Sequence, residues 1–365
     1  TMHTPLARAA RFVYGSALLV LLGSAMPALL PPLAPQCSAL TSDISYYPAT
    51  TTCSPFSSGA CVPIAPGSTQ CLDVRIPIGV VPQPSTLLFL HGGGWNGGSK
   101  TADIACFDRL CQLGYRVVSA NYTLACDNGP SFPQAVFDVR AAVGWIKTQG
   151  PAYGLSDCIV VIGASAGGHL AAMIGALGND PQNFVPQDYG GIDLSVRLTI
   201  TFSGDFDPYR RGCQATSCPC SLCTGGPNDT HLAGFQNDSI TERFVGFDWG
   251  TPVPNQYTPF PCPIGSWNYQ GLNPGVPTAD PFLNASPVHW LNLTSSAFYM
   301  FHSNCDGFFP IDEPDWMIAA AAPYGIPTKK VVAKCKHGMN MYGQWGTADK
   351  VDEAIHKWLQ YAHCP

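Results

Sequence analysis

Short apolar runs of strand length alternate along this chain with stretches of helical period, and that alternation leaves few architectures open. The strand candidates cover residues 72–78, 87–90, 116–120, 159–162, 198–202, 298–301 and 330–333. Helical patterns lie between and after them at 102–113, 133–147, 166–177, 314–321 and 349–361. Such strand-helix-strand units imply an α/β fold: a mostly parallel sheet flanked by helices, with ligands bound beyond the carboxyl ends of the strands. A chain of 365 residues can form one large domain of this kind with insertions.

The alternation breaks in two places. From residue 26 to about residue 70 the chain is rich in Pro, Ser and Thr, with Cys37, Cys53 and Cys61 among them, and reads as an irregular arm stapled to the body. Between 205 and 280 apolar periodicity disappears under Pro, Gly, Cys, Asn and aromatic residues. A stretch that long inside the domain spanning 71–365 reads as a functional insertion, a Cys-rich lid or cap.

Sixteen cysteines point to an oxidising compartment. The first 25 residues agree: Arg8 and Arg11 precede the apolar run 12–22, and Gly23 and Ala25 offer a small-residue cleavage site, as in a signal peptide. A signal anchor is the competing reading, because no charge falls between residues 12 and 30, but Pro27, Pro31 and Pro32 argue against a spanning helix. Secretion without stable membrane insertion is the expectation. Sequons at Asn121, Asn228, Asn237, Asn284 and Asn292 add weak support and imply a glycoprotein. With 12% charged residues and a formal net charge of -6, the chain lacks the basic footprint that nucleic acid requires. A small or neutral substrate fits better.

Two glycine-rich segments carry chemistry. Gly163-Ala164-Ser165-Ala166-Gly167 follows an apolar run and opens an Ala-rich helical stretch. A chain turning sharply from strand to helix there would leave Ser165 exposed at the tip, as a nucleophile requires. A plain small-residue turn is the bland alternative, and the strand before and helix after weigh against it. Upstream, His91-Gly92-Gly93-Gly94-Trp95 directly follows the run 87–90. Glycines let backbone N–H groups approach a developing oxyanion, and the expected donors are those of Gly92, Gly93 and Ala166.

These two segments resemble the HGGG run and G-x-S-A-G-G elbow of the hormone-sensitive-lipase-like α/β-hydrolases, and within them the small carbohydrate (feruloyl or acetyl) esterases. Asn121-Tyr122-Thr123-Leu124, Phe132-Pro133-Gln134-Ala135 and Asp138-Val139-Arg140-Ala141-Ala142 extend the resemblance, although Thr123 stands where that family carries Arg, which puts a local salt bridge in doubt. The resemblance implies an α/β-hydrolase fold, with the catalytic acid at Asp306 in His302-Ser303-Asn304-Cys305-Asp306 and the base at His337 in Lys336-His337-Gly338-Met339. The order Ser165, Asp306, His337 is the one this fold uses. Asp312, Glu313 and Asp315 are rival acids, but as residues at a helix start they suit the helix dipole. His302 reads as support for the acid loop, and His169 as a residue pointing into its own helix.

The implied chemistry is two-step acyl transfer on a small-molecule or carbohydrate ester, with no cofactor and no metal. Trp95 and Tyr122 are the candidate substrate-binding side chains. An arylformamidase-type amide hydrolase and a lipase are alternatives on the same fold; an inactive adhesion or binding protein is the alternative from another class, against which the full set of reactive residues counts. Cys213, Cys218, Cys220 and Cys223 have spacings that zinc accepts, yet secretion favours disulfides. Cys305 and Cys335 flank the acid and the base, and a bond between them would tie the two loops.

Overall fold

The computed structural model describes residues 36–38, 40–47, 70–102, 104–125, 130–210, 241, 244–245, 281–333, 337–339, 353–354 and 356–358. The leader, the cysteines between 213 and 223, Cys335, and the sequons at 228 and 237 lie outside the described residues.

Ten strands are described: β1 (Gln36–Cys37), β2 (Thr41–Ser45), β3 (Cys71–Arg75), β4 (Pro77–Ile78), β5 (Thr86–Leu90), β6 (Arg116–Ala120), β7 (Ile159–Ala164), β8 (Leu198–Phe202), β9 (Ala297–Ser303) and β10 (Thr328–Ala333). The helices that matter to the site are α1 (Ile104–Gln112), α2 (Gln134–Thr148), α3 (Ala166–Leu177), α4 (Pro281–Asn284) and α5 (Glu313–Ala321). Eight strands form one sheet in the order β10-β9-β8-β7-β5-β6-β3-β2, while β1 and β4 pair separately. From β10 to β6 every neighbour is parallel; β3 runs antiparallel to β6 and to β2.

The central strands are apolar at consecutive positions because both faces are covered. Along β5, Leu88 and Leu90 enter one core and Leu87 and Phe89 the other. The first core packs under α2, α3 and α5 through Val139, Leu170, Met173 and Met317; the second packs under α1 through Leu110, with Trp358 against it. Every residue of α3 is buried, which is why its sequence, AGGHLAAMIGAL, shows almost no polar face.

One sequence expectation needs correction. The arm at 26–70 is not wholly irregular, since β2 extends the main sheet by pairing with β3. Its sequence, TSDIS, is polar and half exposed because it covers only the end of the sheet, so no apolar run betrayed it. Cys37 of β1 bonds to Cys111 of α1, which ties this arm covalently to the body. Cys71, Cys158 and Cys305 are also disulfide-bonded.

Candidate active site

Five neighbouring strands, β5, β7, β8, β9 and β10, deliver the candidate groups at their carboxyl ends. Ser165 sits between β7 and α3 with φ 53° and ψ −121°, a conformation that costs about 1–3 kcal/mol and persists only where its surroundings enforce it. Two glycines make the turn possible. A Cβ on Gly163 would stand 2.1 Å from the Gly167 carbonyl oxygen, and one on Gly167 would stand 2.2 Å from the Leu90 oxygen. The backbone of β5 therefore passes directly against the turn, which brings Gly92 beside Ser165.

His337, after β10, places Nε2 2.8 Å from Ser165 Oγ. Its Nδ1 lies 2.8 and 2.9 Å from the two oxygens of Asp306, which follows β9. The three residues implied by the resemblance thus meet in one hydrogen-bonded line. Asp306 is buried, and burial alone would raise its pKa. Hydrogen bonds from His337, Ser203 and the Phe308 N–H, with the charge of the imidazole, outweigh that and hold the carboxyl below the usual carboxylate range. The rival acids are engaged elsewhere. Asp315 pairs with Lys330 at 2.7 Å, and Glu313 is fully buried, accepting the N–H groups of Phe206 and Asp207 at 2.7 and 3.2 Å. Glu313 therefore organises the loop after β8, a task beyond the helix dipole.

Ser203, at the end of β8, escaped sequence reasoning. It donates to Asp306 Oδ2 at 2.6 Å and accepts the Gly338 N–H at 3.1 Å, from a backbone with φ 52°. No local pattern marks it; only a serine directly after a buried strand, in a fold whose acid lies on the next strand, could have signalled it.

Gly92 and Gly93 line the same cavity as Ser165, Ala166 opens α3 directly after it, and no backbone hydrogen bond among the described residues uses the Gly92 or Gly93 N–H. A cavity of about 440 Å³ opens in front of Ser165, lined by Gly92, Gly93 and Gly94, Trp95, Phe308, Phe309, His337, Met339 and, from the insertion, Thr241. Its wall is largely apolar.

The two candidate substrate-binding side chains part company. Trp95 contributes to the wall, although its ring is buried. Tyr122 lies behind the loop and away from the lining: its hydroxyl donates to the His91 carbonyl at 2.7 Å and its ring stacks on the His91 imidazole at 4.3 Å. Burial in this position keeps His91 neutral, with its pKa lowered to about 4 against the opposing Gly92 hydrogen bond. The Thr123 departure from the resemblance also has its outcome. Asp138 is satisfied by uncharged donors, the N–H and hydroxyl of Thr123, Gln134 and Tyr47, and desolvation raises its pKa despite them. Arg140 instead donates to the carbonyls of Asn183 and Asp180.

Among the described residues no group of three or more His, Cys, Asp or Glu is arranged to hold a metal ion, and no helix is long and apolar enough to cross a membrane.

Residues 72–212 match the model of the BD-FAE family. Among curated proteins, esterase LipC of Mycobacterium tuberculosis is 34% identical over 142 residues, covering 38% of this chain and 34% of its own length. The probable carboxylic ester hydrolase LipM of the same organism is 32% identical over 145 residues, covering 39% and 33%. The alignments therefore span about a third of these relatives. Solved structures agree on the fold over more of the chain. A truncated carbohydrate esterase from gut microbiota superposes with TM-score 0.56 at 14% identity, covering 82% of this chain and 88% of that one. Esterase 2 of Thermogutta terrifontis, phosphonylated by sarin, superposes with TM-score 0.53 at 20% identity, covering 78% and 90%. Strand order, elbow and likeness together give this chain the α/β-hydrolase fold, with the BD-FAE match lying over residues 72–212.

Proposed function

We propose that the chain is a serine carboxylesterase acting on small or carbohydrate-linked esters. The observation that carries the reading is the hydrogen-bonded line Ser165, His337, Asp306 beside the oxyanion glycines. His337 Nε2 takes the Ser165 proton as Oγ attacks the ester carbonyl, and the N–H groups of Gly92, Gly93 and Ala166 receive the oxyanion. Collapse of the tetrahedral adduct breaks the ester C–O bond, and the imidazolium gives its proton to the leaving alkoxide. Water then repeats the sequence on the acyl-enzyme, with His337 as base, and restores Ser165. Asp306 holds the imidazole with Nδ1–H toward itself throughout.

Esterases among the curated relatives and the solved neighbours support ester hydrolysis, and a carbohydrate esterase among those neighbours supports the sugar-linked class. The insertion acts as a cap: Thr241 in the cavity wall and Phe244 stacked on Trp95 at 4.5 Å support this. Disulfides at Cys37, Cys71, Cys111, Cys158 and Cys305 support export to an oxidising compartment after removal of the leader.

Labelling with a fluorophosphonate tests the nucleophile: wild type is expected to label and Ser165→Ala to stay unlabelled. Equal labelling of the two, or none in either, would remove the reading. A hydrolysis panel of p-nitrophenyl esters of rising acyl length, acetylated xylan, feruloyl esters and formylkynurenine then separates esterase from lipase and amide hydrolase.

A further inference from the structure

The oxyanion loop adopts a backbone that it could not hold alone. Gly93, Gly94 and Trp95 stand in succession at φ 124°, 59° and 56°. For the two glycines this is inexpensive, but for tryptophan it is a strained conformation that the surroundings must enforce. The Trp95 carbonyl accepts the Ala125 N–H at 2.7 Å, and the indole stacks on Phe244. Its polar end meets a residue that ester hydrolysis as described above does not use. Trp95 Nε1 donates to His169 Nδ1 at 3.2 Å, and His169 Nε2 lies 2.7 Å from the Ala285 carbonyl oxygen. That oxygen can only accept, so Nε2 carries the proton and Nδ1 is left as the acceptor that the indole N–H needs.

His169 is fully buried on α3, one turn beyond Ser165, whose carbonyl accepts the His169 N–H at 3.0 Å. The ring does not point into its own helix; it reaches across to the loop and to the chain returning from the insertion. One imidazole thus joins the nucleophile's helix, the oxyanion loop and residue 285 just after α4.

We propose that His169 is a positioning residue that sets the oxyanion donors through Trp95, so that the returning end of the insertion and the oxyanion loop keep a common register. The inference rests on the esterase reading. Displacing fixed donors by fractions of an ångström weakens binding of the tetrahedral adduct and leaves ground-state binding of the ester largely alone, because the donors are aimed at an oxygen position reached only in the transition state.

Two amide substitutions separate the ring's functions. His169→Asn puts an amide oxygen where Nδ1 stands and keeps an acceptor for Trp95. His169→Gln puts an amide nitrogen where Nε2 stands and keeps the donor to Ala285, with no acceptor for the indole. His169→Gln is expected to lower kcat by about tenfold to a hundredfold, a fraction of what deleting an oxyanion donor does, with KM within about twofold. Affinity for a trifluoromethyl ketone, which forms a tetrahedral adduct on serine, should fall in parallel. His169→Asn should restore most of both. Trp95→Phe, which keeps the stack on Phe244 and loses the N–H, should reproduce the glutamine loss, and it decides the matter if the His169 variants do not fold. Equal losses in the Asn and Gln variants, a change in KM alone, or an unaltered Trp95→Phe enzyme would overturn the inference. A wild type that fails to take the fluorophosphonate overturns the esterase reading beneath it instead.

Discussion

Ser203 donates its hydroxyl to Asp306 Oδ2 at 2.6 Å while accepting the N–H of Gly338, the residue after His337, at 3.1 Å. One side chain just after β8 therefore spans the loops that carry Asp306 and His337. A hydrogen bond to a charged group contributes about 1.5–3 kcal/mol. Ser203→Ala should then reduce kcat by about tenfold or more and move the acid limb of the pH-rate profile upward, since Asp306 loses a donor that favours its ionised form. Steady-state rates across pH 4–8 check this; a profile that shifts only in amplitude would show that Ser203 supports the loops without tuning the acid.

The buried His91 makes stability depend on pH. Its pKa in the folded chain is lowered to about 4, whereas an unfolded histidine titrates near about 6.5. As pH falls through that interval the unfolded chain binds a proton that the folded one refuses, so stability present above the upper value is lost on the way to the lower, by about 3 kcal/mol in full. His302, buried and also lowered, acts in the same direction. Urea unfolding at pH 7 and pH 4.5 should show wild type losing more stability than His91→Gln, with a residual slope left by His302.

Two glycine substitutions should differ sharply. Gly167→Ala drives a Cβ to 2.2 and 2.4 Å from the carbonyl oxygens of Leu90 and His91. Backbone on both sides must move, and a loss of more than about 3 kcal/mol is expected, with probe labelling abolished. At Gly190, where φ is −56° and nothing lies closer than 3.9 Å, alanine should be neutral or stabilise by up to about 1 kcal/mol. Thermal midpoints of the pair test the claim.

Not every sequon can serve. Asn121 is buried, and its side-chain oxygen accepts the Lys100 N–H at 2.7 Å. Asn292 turns its amide nitrogen inward to the carbonyls of Ala176, Leu177 and Trp290. Glycopeptide mapping of protein expressed in a glycosylating host should find both unmodified; a glycan on either would require that segment to be pulled from its packing.

The legible parts of the site were those whose chemistry is local. The elbow around Ser165 and the run His91–Trp95 each need their glycines within a few residues, so sequence alone displays them. Asp306 and His337 became visible through the resemblance, which places each after a late strand. Ser203 and His169 stayed hidden because their roles depend on which strand lies beside which: β8 is next to β9, and α3 crosses beneath residue 95. The placement of Tyr122 stayed hidden for the same reason, since aromatic character near the loop does not tell which side of the backbone the ring takes. In the fold, β2 stayed hidden as a polar end strand, whereas the continuous apolar runs of β5 and β7 were plain.

Because the reactive groups sit in a row on five adjacent strands, from residue 92 to residue 337, no segment of the chain can assemble the site by itself. Long-range parallel pairings of this kind form slowly, after loop-closure entropy has been overcome. The hydrogen bond from Ser165 to His337 can form only once the last of those strands, β10, has docked. On the proposed function, the appearance of a labelable Ser165 during refolding is then a clock for completion of the sheet, and a chain that stalls before β10 docks would carry no hydrolytic activity into its surroundings.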